Sequence, residues 1–163
     1  MSSSSSKILV PIGFSEQSVI AFDQACSFAK LDNAKVFLLS VVEERSTMQN
    51  LFLDDNSHEL KKKVHKKLSE IASEHSKKYN LEIEIVVAQG KIYNQINEVA
   101  EMIAADLIIM GTTGSPKERI KRFMGSNAER VVRLVKRPVI TIKGATIKGE
   151  CNNIILPLDT EKE

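Results

Sequence analysis

Little cysteine, almost no net charge and no long apolar run set the first limits on this chain. Its 163 residues hold two cysteines, Cys26 and Cys151, with neither the paired spacing of a metal site nor the density of a disulfide scaffold. Two free thiols in a reducing compartment are expected. The 23 basic and 21 acidic residues leave a formal charge of +2, so composition gives no case for nucleic acid or an anionic membrane, and any basic function is local. The apolar stretch after the Ser2–Ser6 run is interrupted by Pro11 and is too short for the core of a signal peptide. Nothing approaches membrane-spanning length. Both absences point to the cytoplasm.

Several catalytic and ligand motifs are missing too. No lysine follows a glycine as a Walker loop requires, and there is no Gly-x-Gly-x-x-Gly. Ser15 lacks a Gly-x-Ser-x-Gly elbow and reads as a helix cap rather than a nucleophile. His58, His65 and His75 share one helical segment without the i,i+4 pairing of a metal site, and are expected at the surface or its boundary. Cys26 falls on the apolar face of a helix with no histidine near it in sequence, which fits core better than nucleophile. The lysines between 61 and 67 have no aromatic interleaving and read as the outside of an amphipathic helix. The run from Lys117 to Arg122 reads as a solvated loop face rather than a nucleic-acid contact.

What is present is a regular alternation. Lys7 to Ile12 is β-rich, and Ser15 caps a helix whose apolar positions include Val19, Ile20, Phe22, Ala25, Cys26 and Ala29. Lys35 to Val42 is nearly continuous apolar sequence, as expected of a strand buried on both faces. Arg45 to Ser57 has no period and reads as a long connection or small flap. His58 to Tyr79 carries an apolar stripe opposite its lysines, and is the longest helix. Leu81 to Ala88 reads as a strand, Ile92 to Ile103 as a helix, Leu107 to Met110 as a strand, Ala128 to Lys136 as a helix and Pro138 to Ile142 as a last strand. Five strands alternating with four helices mean parallel crossovers, hence an α/β fold with an open five-stranded parallel sheet and helices on both faces.

Two sequence features bear on function. Gly111-Thr-Thr-Gly114 follows a strand, and Gly125-Ser126-Asn127 comes after ten further residues, just before a helix. A strand end, a glycine-framed loop and a helix N-terminus gather backbone N–H donors where an anion binds. With strand order 3-2-1-4-5, Gly13 and Gly111 lie at the carboxyl ends of strands one and four, where the chain reverses direction across the sheet and ligands bind. The second feature is a repeat. Lys7-Ile-Leu-Val-Pro-Ile-Gly-Phe-Ser-Glu16 is echoed from Asn153 to Glu161, with Asp159 where the first copy has Gly13. One unit of a tandem arrangement, or a truncated piece of one, is expected, with 1–6 as a tail, 7–143 as the domain, and 144–163 as a linker plus an extra strand.

Val10-Pro-Ile-Gly-Phe-Ser15, Leu38-Leu-Ser-Val-Val42, Gly111-x-x-Gly114 with Gly125-Ser126, and Arg137-Pro-Val139 together resemble the universal stress protein family over residues 7 to 143. The resemblance implies a flavodoxin-like sheet and, in ATP-binding members, a nucleotide at the glycine loop. Carried over by position, Gly111, Thr112 and Gly114 meet phosphates and ribose. Gly125, Ser126 and Asn127 meet phosphates, and Val41 meets the adenine edge. Pro11, Ile12, Gly13 and Phe14 form the opposite wall, and Met110 belongs to the same strand end. ATP or a related adenine nucleotide is the implied cofactor. Magnesium is less well supported, because Gly13 stands where ATP-binding members have an aspartate; Ser115 to Met124 is also one residue longer than the family spacing. With no general base evident, binding that alters association is expected rather than turnover, a slow ATPase at most. The alternatives are a pairing module that binds no nucleotide and, on fold analogy alone, a nucleotidyl-transfer enzyme. Dimers or tandem pairs through Val139–Ile142, and through an extra strand at Ile154–Leu158, are further implied, with no membrane or nucleic-acid partner.

Overall fold

The computed structural model describes residues 5–43, 57–112 and 126–144. The flap expected at 45–57 (apart from its last residue), the glycine-loop interior with its basic run, Cys151 and the C-terminal strand lie outside these residues. Within them the order is β1 (Lys7–Pro11), α1 (Glu16–Asp32), β2 (Lys35–Val42), α2 (Ser57–Tyr79), β3 (Ile83–Gln89), α3 (Ile92–Met102), β4 (Leu107–Gly111), α4 (Ser126–Leu134) and β5 (Val139–Ile142). All four strand pairings are parallel, in the order β3-β2-β1-β4-β5.

The apolar runs become buried strands because alternate side chains enter two separate cores. Ile8, Val10, Val36, Leu38 and Ile109 point to the face covered by α1 and α2, where they meet Phe22, Ala25, Leu68 and Ala72. Leu9, Phe37, Leu39, Ile108 and Met110 point to the face covered by α3 and α4, against Ile96, Val99, Ala100, Ala128 and Val131. A sheet with helices on both sides needs apolar residues at both parities, which explains the absence of a two-residue period in β1, β2 and β4. At the foot of the sheet, Asp106 fixes the β1–β4 register: its carboxylate accepts the Lys7 N–H at 2.8 Å, and its own N–H donates to the Lys7 carbonyl at 2.9 Å.

Helix boundaries follow from caps. Ser15 accepts the Ser18 N–H through its hydroxyl, and Asn33, left-handed at φ 48°, closes α1 by donating its N–H to the Ala29 carbonyl. Leu81 does not begin β3 as the apolar pattern suggests. Its N–H donates to the Ser76 carbonyl and its carbonyl accepts the Ser76 hydroxyl, so it closes α2. Helix α4 starts at Ser126, two residues before Ala128, which puts Ser126 and Asn127 in a first helical turn rather than in the loop.

One contact fixes the position of α1 over the sheet. A Cβ on Gly111 would stand 2.7 Å from the backbone carbon and oxygen of Gln17 and 3.0 Å from the Ser18 nitrogen. The first turn of α1 therefore rests directly on the bare backbone at the end of β4. The Gln17 side chain extends the contact by accepting the Gly144 N–H at 2.9 Å, just beyond β5.

Farther down, α1 and α2 are joined by a polar hub. Oδ1 of Asp23 accepts hydrogen bonds from the Lys78 ammonium and the Tyr79 hydroxyl, each at 2.7 Å. Burial alone would raise the Asp23 carboxyl, but the hydrogen bonds from Lys78 and Tyr79 outweigh it and hold it below the usual carboxylate range. His75 joins this hub and is buried, unlike the surface or boundary position expected of it. Its ring lies 4.5 Å from that of Phe22, Nδ1 donates to the Ile71 carbonyl at 3.0 Å, and Nε2 is 3.6 Å from Asp23 Oδ1. Cys26 is fully buried nearby, its thiol pushed up to about 12 by burial and by the Asp23 charge.

Gly111→Ala is expected to lose roughly 1–3 kcal/mol in urea denaturation, because backbone must shift to admit the methyl group. Gly13→Ala, with nothing within 4 Å of the added carbon, should unfold like the parent. Asp23→Asn is expected to cost about 1 kcal/mol at pH 7, a modest figure because the hub is partly exposed. A carboxyl lowered by folding contributes stability above its unfolded value of about 3.9 and loses it as pH falls through the folded value. The gap between Asp23→Asn and the parent should therefore close below about pH 4, and a gap that persists at pH 2 would show that the charge is not its source.

Candidate functional site

The strands reverse order between β1 and β4, and a crevice opens there at their carboxyl ends. Pro11, Ile12 and Gly13 supply one wall, leaving β1 for α1, with Ser15 and Ser18 from the start of α1 behind them. Leu39 and Val41 of β2 share a parity and present the same face; Ile92 and Ile96 of α3, one turn apart, cover it. The end of β4 contributes Met110, Gly111 and Thr112, and α4 contributes Asn127 and Ala128.

Most of the expected site residues therefore meet in one place. Pro11, Ile12, Gly13, Val41, Met110, Gly111, Thr112 and Asn127 line the crevice. Phe14 does not. Its ring packs with the core under α1 and α2, and the Lys67 ammonium lies 4.4 Å from its centre. Its backbone is left-handed at φ 58°, a strained conformation for a bulky side chain that turns the ring away from the crevice. Ser126 opens α4 but is not on the lining, and Gly114 and Gly125 lie outside the described residues. Gly111 has a structural task as well, the close approach of α1.

Sequence reasoning passed over Ser15, Ser18, Leu39, Ile92, Ile96 and Ala128 as site residues. The signal was available: Leu39 shares the parity of Val41, Ile92 and Ile96 are four apart, and a cap at the carboxyl end of the first strand must stand at the reversal point. Ser15 and Ser18 spend hydrogen-bonding capacity on each other, the Ser18 hydroxyl donating to the Ser15 carbonyl at 2.8 Å.

Among the described residues that line it, the crevice carries no acidic or basic side chain, and no group of three or more His, Cys, Asp or Glu among the described residues could hold a metal ion. Its polar resources are hydroxyls, the Asn127 amide, and the first-turn N–H groups of α4, which have no partners inside their own helix. Thr112 stands out among them. It is 5% exposed, its N–H donates to the Ile142 carbonyl at 3.0 Å, and its buried hydroxyl has no hydrogen-bond partner among the described residues. Such a crevice can enclose a flat apolar ring and offer neutral hydrogen bonds, with helix-end donors at one rim for an anion.

No helix among the described residues is long and apolar enough to cross a membrane. Residues 5–143 match the model of the universal stress protein family. Two curated proteins of Methanocaldococcus jannaschii are similar: universal stress protein MJ0531, 34% identical over 84% of this chain and 81% of its own length, and universal stress protein MJ0577, 30% identical over 84% of this chain and 94% of its own length. The solved structure of MJ0577 superposes with a TM-score of 0.75 over 87% of this chain and 98% of that one. Two more distant solved structures share the fold at a TM-score of 0.62: a universal stress protein in complex with cAMP, 22% identical over 85% of this chain and 97% of its own, and one from Archaeoglobus fulgidus in complex with dAMP, 19% identical over 86% and 98%. Taken with the parallel sheet and its order, these matches show that the chain belongs to the universal stress protein family.

Proposed function

We propose that this chain is a regulatory module that binds an adenine nucleotide in the crevice between β1 and β4. The observation that carries the reading is the crevice itself. It stands at the topological reversal point, has apolar walls from Val41, Ile92, Ile96 and Met110 for a flat ring, and carries the first turn of α4 on its rim. The adenine nucleotides held by two structures of the same fold support it. Binding rather than turnover is the stronger form of the proposal, since no described lining residue can act as a general base at neutral pH.

Magnesium does not fit the described donor set. Gly13 brings no carboxylate, and none reaches the crevice from elsewhere in the described lining; a hard divalent cation needs oxygen ligands of that kind. The crevice is read as metal-independent. Titration calorimetry of ATP into the stripped protein is expected to show saturable one-site binding, with similar affinity in magnesium and in a chelator. No heat, together with no rise in thermal midpoint at excess nucleotide, would overturn the reading. Space around the Gly13 Cβ position is open, so Gly13→Asp should fold normally. It should make ATP affinity magnesium-dependent, weaker in the chelator through like-charge repulsion and restored by the ion.

A second reading, pairing through the sheet edge, has its own observation. At the β5 side of the molecule, Ile140 is 38% exposed, and Val132 and Leu134 of the neighbouring α4 are 45% and 59% exposed. A second copy covering β5 would bury these apolar side chains and satisfy the edge. Ile140→Lys is expected to shift sedimentation toward the monomer, and a variant that sediments like the parent would exclude this edge.

A further inference from the structure

The sheet has a second edge, across from β5. Among the described strands β3 is bonded to β2 alone, and two hydrogen bonds fix which way its backbone groups turn. The Glu82 carbonyl accepts the Val36 N–H at 3.1 Å at the lower end, and the Gly90 N–H donates to the Val42 carbonyl at 3.0 Å at the upper end. Between them the register runs unbroken from Ile83 to Gln89. Backbone groups alternate sides along a parallel strand, so Glu84, Val86 and Ala88 also turn to β2. The N–H and C=O groups of Ile83, Ile85, Val87 and Gln89 turn outward, with no strand beside them among the described residues. Edges are ordinarily blunted by charge, proline or a bulge. The lower part of this one is, since Glu82 and Glu84 are both held by the Lys35 ammonium, at 2.7 and 2.5 Å. From Ile85 to Gln89 there is no charge, proline or glycine. The side chains there are half-buried on both faces, Ile85 and Val87 with the core under α1 and α2, Val86 and Ala88 with the core under α3 and α4. Such a stretch is a template for another strand.

The geometry points to a second copy of this chain as the partner, its β3 antiparallel to this one about a two-fold axis at Val86. That register pairs the whole strand with itself. Ile85 lies opposite Val87 of the second copy, and Ile83 opposite its Gln89, so outward groups meet outward groups as hydrogen-bonded pairs. Directly opposed side chains share a face, and the core under α1 and α2 continues from Ile85 and Val87 of one copy into those of the other. Charge agrees with the register. Lys91, exposed just past the upper end of β3, comes beside the exposed Glu82 at the lower end of the second copy. The Glu84 carboxylates stay four strand positions apart, about 13 Å along the strand, whereas an axis at Glu84 would oppose them directly. A peptide of unrelated sequence has no such reciprocal match. Because this edge lies across the sheet from β5, the contact does not depend on pairing there.

The test is amide hydrogen exchange of the full chain from dilute to concentrated solution, read beside sedimentation equilibrium. The amides of Ile83, Ile85, Val87 and Gln89 are expected to exchange quickly when dilute and slow as concentration rises, while those of Glu84, Val86 and Ala88 stay slow throughout. Val87→Pro removes an outward N–H and no β2–β3 bond, so it should keep the parent's thermal midpoint in dilute solution. On the Ile140→Lys background, which blocks the β5 edge, it should weaken the remaining association at least about tenfold. Lys91→Glu, at an exposed position, should weaken association several-fold in low salt, and adding Glu82→Lys should restore it. Rapid exchange of the outward amides at every concentration would overturn the inference. Slow exchange at every concentration would also overturn it, since the edge would then be covered within one chain. So would Val87→Pro that keeps its midpoint and associates like its background, or Lys91→Glu that associates like the parent.

Discussion

The architecture of the crevice depends on a contact with no side chain in it. Helix α1 leaves β1 at the reversal point and must cross the end of β4 to pack on the sheet, and Gly111 is where the two backbones meet. Because the contact is backbone on backbone, its separation does not depend on a rotamer. Ser15 and Ser18, the opening residues of α1, are thereby held at the crevice. The Gln17 side chain links this point to Gly144 past β5, so the ends of β1, β4 and β5 are tied through a single helical turn. Parity supplies the rest. With Gly111 facing α1, Met110 and Thr112 must face the other way, toward α3 and α4.

Much of this was legible before any coordinates. Strand identity came from apolar runs such as Lys35–Val42, and parallel order from their alternation with helices, because a sheet covered on both faces constrains the sequence at every position. What stayed illegible had local physical causes. Leu81 is apolar and follows a helix, and only its paired hydrogen bonds with Ser76 show that it closes α2 instead of opening β3. His75 carries no sequence sign of burial, since the partners that stabilise it come from the preceding turn and from α1.

For the site, strand-end positions were readable because they follow from topology. Side-chain direction within the turn after β1 was not. Phe14 sits beside Gly13 in sequence, yet its left-handed backbone sends the ring to the opposite core, beneath Lys67. Gly111 was legible as special because a glycine at a strand end suggests room for a ligand, and the structure adds that its bare backbone makes room for a helix. Thr112 gave no sequence signal beyond its place in the loop pattern, because a missing hydrogen bond is visible only when its surroundings are known.

The two faces of the sheet differ in what holds them. Under α3 and α4 the packing is apolar and ends in a crevice with an unfinished hydroxyl, whereas α1 and α2 are fastened through the Asp23 oxygen that two donors share. Cys26 lies within that fastened side, fully buried and with its thiol pushed up to about 12 by burial and by the Asp23 charge. In the closed protein it is therefore silent toward alkylating reagents, which attack thiolates that they can reach. Once the helices part from the sheet, water reaches the sulfur and its acidity returns toward that of an ordinary cysteine. The chain thus contains its own chemical clock, in which the rate of Cys26 modification counts how often this half of the molecule opens.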